Sequence, residues 1–335
     1  MNKKIYKAAL IGYYGFGNLG DELLLRASIE LLEHSGISRA QIIVLSNKPD
    51  ETEKNFNVRS LSRWSIKNIT GALKMSECLI FGGGGIFQDS TGFKSCLWYW
   101  LIVRLAKFLG VRLIAIGQSI GELNYFASRL MTLNAFKLFE FVHVRDKRTY
   151  ELLRPIKNIR VIIGDDIVFN LADSYIKNEC AIENQRGKFL LNLRPCGELK
   201  NFLDSFSENI NAHENITGVA LSDDDEEILK SAENKINFSE IVRIKNFDEA
   251  YEIFTRAYSA VGMRLHFGIL SRIFKTPVAL IPYDVKVKLF ACDSNIPLII
   301  NKWHEPAQAK IIPSDINNAL KIAMIEFAHD GQTSN

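Results

Sequence analysis

Short apolar runs alternate along the whole chain with longer stretches of helical period. In the first half, the runs over 7–12, 41–45, 78–81, 112–116, 141–144 and 160–163 read as strands. Between them lie amphipathic segments such as 21–34, which stops at Gly36 as a helix C-cap should. The pattern fades over 173–187, where polar residues dominate and a linker is expected. It resumes with strands predicted at 188–193, 216–221, 240–242, 258–262 and 277–281, and a final helix over 314–327. Strands alternating with helices predict parallel sheets covered on both faces. The expected fold is α/β: two Rossmann-like, doubly wound parallel-sheet domains, 1–175 and 188–335, facing across a cleft, with the last helix available to pack back on the first domain. Ligands of such folds sit beyond the carboxyl ends of the strands, so the chemistry is sought there.

Composition narrows the field. A chain of 335 residues, 47% of them hydrophobic, builds a large core. Its 41 Lys+Arg against 38 Asp+Glu leave +3, too balanced for a protein devoted to nucleic acid. Five scattered cysteines without a C-x-x-C pair argue against a disulfide framework or a structural zinc, and for a cytoplasmic setting. The first residues mimic a signal peptide, but the apolar run breaks into glycines and then Asp21-Glu22, so a first strand is expected there. No run of 18 uncharged apolar residues is present, and no transmembrane helix is expected.

The strand ends carry the candidate chemistry. Gly12-Tyr-Tyr-Gly15-Phe-Gly17-Asn18-Leu-Gly20-Asp21-Glu22 follows the first strand and formally contains G-x-G-x-x-G. Dinucleotide binding fits it poorly, because Asp21 and Glu22 occupy the helix N-terminus where a pyrophosphate needs positive potential. A loop bringing a sugar or anion against bare backbone fits better. Gly82-Gly83-Gly84-Gly85 can cradle an oxyanion, with Gln88 and Asp89 placed to bind hydroxyls. A third loop holds Gly117-Gln118-Ser119-Ile120-Gly121, and Arg145-Asp146 closes the next strand, either as a functional cation or as a salt-bridged helix start. In the second half Arg264 and His266 fall at a strand–helix junction, Lys286 follows the next strand, and Arg194 follows the strand at 188–193. Cations gathered in a nearly neutral chain suit a small polyanion. The acidic run from Ser222 to Glu227 reads as a helix cap, and no metal is expected.

The ordered set G-x-x-G-x-G-N-x-G-D-E, G-G-G-G-x-x-Q-D, G-Q-S-I-G, V-R-D, L-R-P, G-M-R-L-H and Y-D-x-K-V, spread over 12–287, closely resembles the polysaccharide pyruvyl transferase family, CsaB type. The resemblance implies a glycosyltransferase-B-like fold. It also implies transfer of a pyruvyl group from phosphoenolpyruvate, as a ketal, onto a sugar of a cell-surface glycan. In the CsaB type the acceptor is N-acetylmannosamine of a lipid-linked cell-wall polymer precursor, and the product anchors surface-layer proteins. Phosphoenolpyruvate would be the donor substrate, with no further cofactor. Carried over, His266, Arg264, Lys286 and Arg145 form the active-site set. Gly15, Asn18, Gly20, Asp21, Gly83, Gly84, Gln88, Asp89, Gln118, Ser119 and Arg194 serve substrate binding. His266 is expected as the general acid, and Asp89 could orient an acceptor hydroxyl. Three departures stand out: Asp165-Asp166 where Asp-Pro is frequent, Val285 where proline is usual, and Glu122 after Gly121 where Gly-Pro is found.

Two segments bear on location. Residues 95–109 and 125–139 combine aromatic and aliphatic side chains with Arg104, Lys107, Arg129 and Lys137. They are read either as core helices or as a basic face resting on the inner membrane leaflet to meet a lipid-linked sugar. The rival function is a glycosyltransferase of the same architecture using a nucleotide sugar. A non-catalytic glycan-binding protein is the third alternative.

Overall fold

A computed structural model describes residues 5–90, 92–174, 187–197 and 199–308. They divide into two compact units, one of residues 5–16 and 24–170, the other of residues 17–23 and 171–308. The short segment 17–23 groups with the second unit, away from its neighbours in sequence. Most of the expected linker (175–186) and the expected last helix lie outside the described residues.

The first unit holds a seven-stranded sheet in the order β3-β2-β1-β4-β5-β6-β7, every neighbouring pair parallel. The strands are β1 (Tyr6–Ile11), β2 (Ile42–Ser46), β3 (Arg59–Ser62), β4 (Ser76–Phe87), β5 (Arg112–Ile120), β6 (Phe141–Val144) and β7 (Arg160–Ile163). Order reverses between β1 and β4, the switch point at which doubly wound sheets receive ligands. Two strands run longer than the hydrophobic pattern predicts. β4 continues through the four glycines to Phe87, pairing Gly82 with Ile116 and Gly84 with Gln118 of β5. The expectation of a free glycine loop is thereby corrected: part of that backbone belongs to a ladder. Glycine is needed there for clearance, since a Cβ on Gly82 would strike the Tyr14 hydroxyl, and Gly83 at φ +82° lies against Leu24.

The core of this unit is aromatic: Phe81, Phe87, Phe136 and Phe139 pack as a group, with centroids 5.0 to 5.9 Å apart. Over it lie α4 (Phe93–Phe108) and α5 (Phe126–Phe136). Cys96, Tyr99, Ile102, Val103 and Ala106 form the buried stripe of α4, at helical spacing. The core reading therefore holds for that stripe, while the opposite faces leave large apolar side chains uncovered. Phe108 is 86% and Phe126 81% exposed, alongside exposed Leu101 and Leu130.

The second unit holds a five-stranded parallel sheet in the order β10-β9-β8-β11-β12. Its strands are β8 (Lys188–Asn192), β9 (Ile216–Ala220), β10 (Phe238–Arg243), β11 (Ala257–Gly262) and β12 (Val278–Leu280). Phe202, Leu203, Phe206 and Ile210 recur on one face of α7 (Leu199–Asn211) and cover the core that Phe189, Leu191 and Val261 build from the sheet. α8 (Asp223–Ser231) starts where the acidic run predicts a cap: Ser222 accepts the Asp225 N–H. Two helices follow β11 and β12 and carry the candidate site, α10 (Leu265–Ile273) and α11 (Val285–Asp293).

Candidate functional site

Because β8, β11 and β12 are adjacent and parallel, their carboxyl ends place Arg194, the Arg264–His266 pair and the Tyr283–Lys286 segment along one edge. At the end of β8, Asn192 is fully buried and serves as the hub. Its Oδ1 accepts the Arg264 N–H at 3.0 Å, its carbonyl accepts the Met263 N–H at 3.1 Å, and its Nδ2 donates to the Val219 carbonyl at 2.8 Å. This pins the turn from β11 into α10. Arg264 occupies the N-cap position of that helix in extended backbone, and His266 sits in its first turn.

The Arg264 side chain is held as a fork. Nε donates to both Asp225 oxygens at 2.9 and 3.1 Å, and Nη2 donates to Asp225 Oδ1 at 2.5 Å and to Ser222 Oγ at 2.7 Å. Asp225 is fully buried and also accepts the Leu221 N–H. A buried carboxylate at such a point makes Arg264 an oriented donor rather than a free charge. The acidic run is thus more than a cap, since its third aspartate positions a site arginine. Lys286 is half-exposed and ion-paired to Asp284 at 3.3 Å, while Asp284 also caps α11 by accepting the Lys286 N–H. Arg194 lies with Cζ 4.1 Å from the Tyr283 ring centroid, which steers its guanidinium beside the Lys286 segment.

Segment 17–23 belongs to this unit and carries three of the expected binding residues. Asn18 donates to Asp21 Oδ2 at 2.6 Å and accepts the Gly20 N–H, forming the start of α1 (Leu19–His34). Leu19 N–H donates to the Leu221 carbonyl, and Arg243 donates to the Gly17 carbonyl. A Cβ built on Gly20 would fall on the imidazole of His266, at Nδ1. Gly20 therefore makes room for the imidazole, a constraint that only the fold reveals. The structure brings Asn18, Gly20, Asp21, Arg194, Arg264, His266 and Lys286 into one unit.

The remaining expected residues lie in the first unit. Arg145 pairs with Asp166 at 2.5 Å; its side chain is 7% exposed and its partner's 3%. Asp166 is the residue found where proline is frequent in the family pattern, and it also accepts the Val168 N–H. Asp146, next to Arg145 in the chain, instead caps α6 (Lys147–Leu153) and accepts from Ser119 Oγ at 2.7 Å. Asp89 is buried and receives N–H bonds from Asn124 at 2.8 Å and Tyr125 at 2.9 Å. Burial pushes its carboxyl up, but these bonds and that of the Asn124 side chain outweigh it and hold the group below the ordinary value. So fixed, Asp89 staples the loop after β5, which corrects the expectation of a carboxylate available to an acceptor hydroxyl.

Gln118 is fully buried, its amide donating to the Phe81 carbonyl, and Gln88 accepts from the Ser90 hydroxyl. Gly15, at φ +77°, packs on Ser46 and Lys48, with no space for a Cβ. His143, buried in β6, accepts the Gly117 N–H through Nδ1 at 3.0 Å. Burial lowers its pKa to about 4, so the imidazole is neutral and works as a prop beneath the Gly117 backbone. Asn192, Asp225, Asp166 and His143 are absent from the sequence-based site, because each acts through a partner distant in the chain.

The fold defines a class of protein. UDP-GlcNAc 2-epimerase from Methanocaldococcus jannaschii superimposes with a TM-score of 0.57 at 13% identity, covering 96% of this chain and 92% of that one. The Neisseria meningitidis UDP-GlcNAc 2-epimerase bound to UDP-GlcNAc gives 0.57 at 9% identity over 98% and 92%. Phytolacca americana UGT2 complexed with UDP-2fluoro-glucose and pterostilbene gives 0.52 at 10% identity over 96% and 94%. At these identities the likeness is one of fold, the glycosyltransferase-B type. No curated protein sequence matches the chain. The model of the polysaccharide pyruvyl transferase family matches residues 18–285. The chain belongs to that family, and it is a transferase.

Proposed function

We propose that the protein transfers the pyruvyl group of phosphoenolpyruvate, as a 4,6-ketal, onto N-acetylmannosamine in a lipid-linked precursor of a cell-wall polymer, the CsaB-type reaction. The observation that carries this reading is the edge formed by β8, β11 and β12, where His266 starts α10 two residues after a fixed Arg264 and Arg194 and Lys286 follow the neighbouring strands. Phosphoenolpyruvate carries a carboxylate and a phosphate on one small enol. Arg264 offers Nη1, which takes no part in its grip on Asp225, while Lys286, Arg194 and the α10 N-terminus supply attraction for the second anionic group.

In the proposed mechanism the His266 imidazolium gives its proton to the methylene carbon, and positive charge develops at the neighbouring carbon. One sugar hydroxyl adds there and releases its proton, phosphate departs with the C–O bonding pair, and the second hydroxyl closes the ketal, releasing another proton. One of the two protons returns to the imidazole and the other leaves on the phosphate, so the enzyme is unchanged. The bound dianion favours the charged imidazole that this step requires.

A lipid-linked acceptor and contact with an inner leaflet belong to the same proposal. The exposed faces of α4 and α5 support them: Phe108, Phe126, Leu101 and Leu130 are flanked by Arg104, Lys107, Arg129 and Lys137, with no acidic side chain in either helix. Among the described residues no helix is long and apolar enough to cross a membrane.

The alternative is transfer from a nucleotide sugar, to which the fold neighbours lend weight. Against it, Asp284, the carboxylate nearest in sequence to Lys286, is already committed to the α11 cap and to Lys286 itself. Incubation with phosphoenolpyruvate and a short-chain lipid mimic of an N-acetylmannosaminyl disaccharide should release phosphate in step with a product heavier by one pyruvyl ketal. Turnover of UDP-sugars, with none of phosphoenolpyruvate, would replace this reading by the alternative.

A further inference from the structure

An aromatic cluster in the first unit is unused by the donor chemistry. Arg63 directly follows β3 and is 2% exposed. Its Cζ lies 4.4 Å from the Trp98 ring centroid, 5.2 Å from Trp64, 5.3 Å from Phe16, 5.6 Å from Tyr99 and 5.9 Å from Tyr13. Nη1 donates to the Gly12 carbonyl and Nη2 to the Tyr99 hydroxyl at 3.0 Å, while the buried Nε–H has no hydrogen-bond partner among the described residues. The guanidinium is therefore sheathed in ring faces, which hold it in place of a carboxylate.

The outer rings are fixed yet open. Tyr13 and Phe16 stack with centroids 3.9 Å apart and planes 7° from parallel. The Trp64 indole N–H donates to Asn47 Oδ1 at 2.7 Å, and Asn47 in turn donates to the Gly15 carbonyl at 3.2 Å. Even so, Tyr13 is 44% and Trp64 58% exposed. They stand just past β1 and β3, on the carboxyl edge of the sheet, where doubly wound folds receive ligands. Large rings locked in place and left open to solvent form a preorganised surface, one that costs little further ordering when something lies on it.

We propose that Tyr13 and Trp64 are a stacking platform for a pyranose ring of the glycan acceptor. A pyranose presents a face of C–H groups that packs on an aromatic plane, while its hydroxyls remain at the rim in water or against polar groups such as the Asn47 amide. An anionic group is not the occupant, because the one cation of the cluster lies beneath the rings and is not reachable. The inference rests on the reading of the chain as a glycan-modifying transferase, and it assigns the platform to the acceptor alone.

The test is binding in the absence of turnover, using the full chain. An N-acetylmannosaminyl-N-acetylglucosamine disaccharide with a short alkyl aglycone is titrated by calorimetry, and the aglycone alcohol alone is the control. Phosphoenolpyruvate-induced thermal shift is recorded in parallel. Trp64→Ala and Tyr13→Ala should each weaken disaccharide binding by about tenfold, the loss of one good aromatic anchor. Trp64→Phe should recover most of it, and the phosphoenolpyruvate shift should be unchanged in all three. Wild-type affinity in folded Trp64→Ala and Tyr13→Ala chains would overturn the platform. Equal binding of the aglycone alcohol would overturn it in favour of a lipid-chain site. A wild-type chain that binds the disaccharide but gives no phosphoenolpyruvate shift would leave the platform standing and remove the donor reading. The converse result would remove the platform alone.

Discussion

Each unit sets an arginine just past a strand and answers it with a buried aspartate from another connection, yet the two pairs differ in what they leave over. Arg145 and Asp166 are both nearly sealed, with side chains 7% and 3% exposed. Arg264 is 15% exposed against an Asp225 that is fully buried, and its fork is gripped from one side only. A closed pair holds two connections of the first sheet together; a half-open pair is an aimed donor that still faces solvent. Counting cations along the chain treats the two alike. Their partners separate them, and the proposed donor site draws on Arg264 with Lys286 and Arg194, not on Arg145.

Removing one carboxylate from each pair sharpens this contrast most. Asp225→Ala and Asp166→Ala should each cost about 3–5 kcal/mol of stability in denaturant titrations, because a buried guanidinium is left uncompensated. Only Asp225→Ala should also raise the KM for phosphoenolpyruvate. An equal rise in Asp166→Ala would erase the distinction between the two arginines.

His143 makes a prediction in pH. Its folded pKa of about 4 lies below the unfolded value of about 6.5, so the unfolded chain takes up the proton first. Its contribution, about 3 kcal/mol from the size of the shift, is complete above pH 6.5 and fades as pH falls toward 4. Stability profiles of the wild type and of His143→Gln should converge toward the acid end of that window. Parallel profiles would show that His143 is not neutral in the fold.

Gly20 tests the second unit's geometry. Gly20→Ala should displace the imidazole and lower kcat by up to about a hundredfold with little change in donor KM. Unchanged kcat would mean that the imidazole position does not matter. The smallest effect expected is that of Asp284→Ala, which removes a helix cap and a largely exposed ion pair. It should lower stability by about 1 kcal/mol and leave the first unit untouched.

How far the sequence alone reaches is plain from particular elements. β6 and β7 fall where the apolar runs place them, and β8, β9 and β11 differ by a residue at an end. β3 went unseen because Arg-Ser-Leu-Ser is an edge strand with one apolar residue and no alternation to detect. The glycine run looked like a loop because four glycines carry no strand propensity, yet they extend β4 where Tyr14 and Leu24 press too closely for a Cβ. Arg264, His266 and Lys286 were legible as strand-end residues. Their positioning partners were not: Asn192 acts on residue 264, and Asp225 on an arginine 39 positions later. Asp89 shows the reverse error, since a carboxylate after a glycine run suggests an acceptor contact, whereas the fold spends it on the Asn124–Tyr125 backbone.

Proton transfer from the His266 imidazole to the enol carbon of phosphoenolpyruvate, as proposed, is read out by single-turnover phosphate release with the disaccharide acceptor. In His266→Ala the release rate should fall by about 10²–10⁴ while phosphoenolpyruvate still shifts the melting temperature as in the wild type. A folded His266→Ala chain that binds the donor and releases phosphate at the wild-type rate would contradict it.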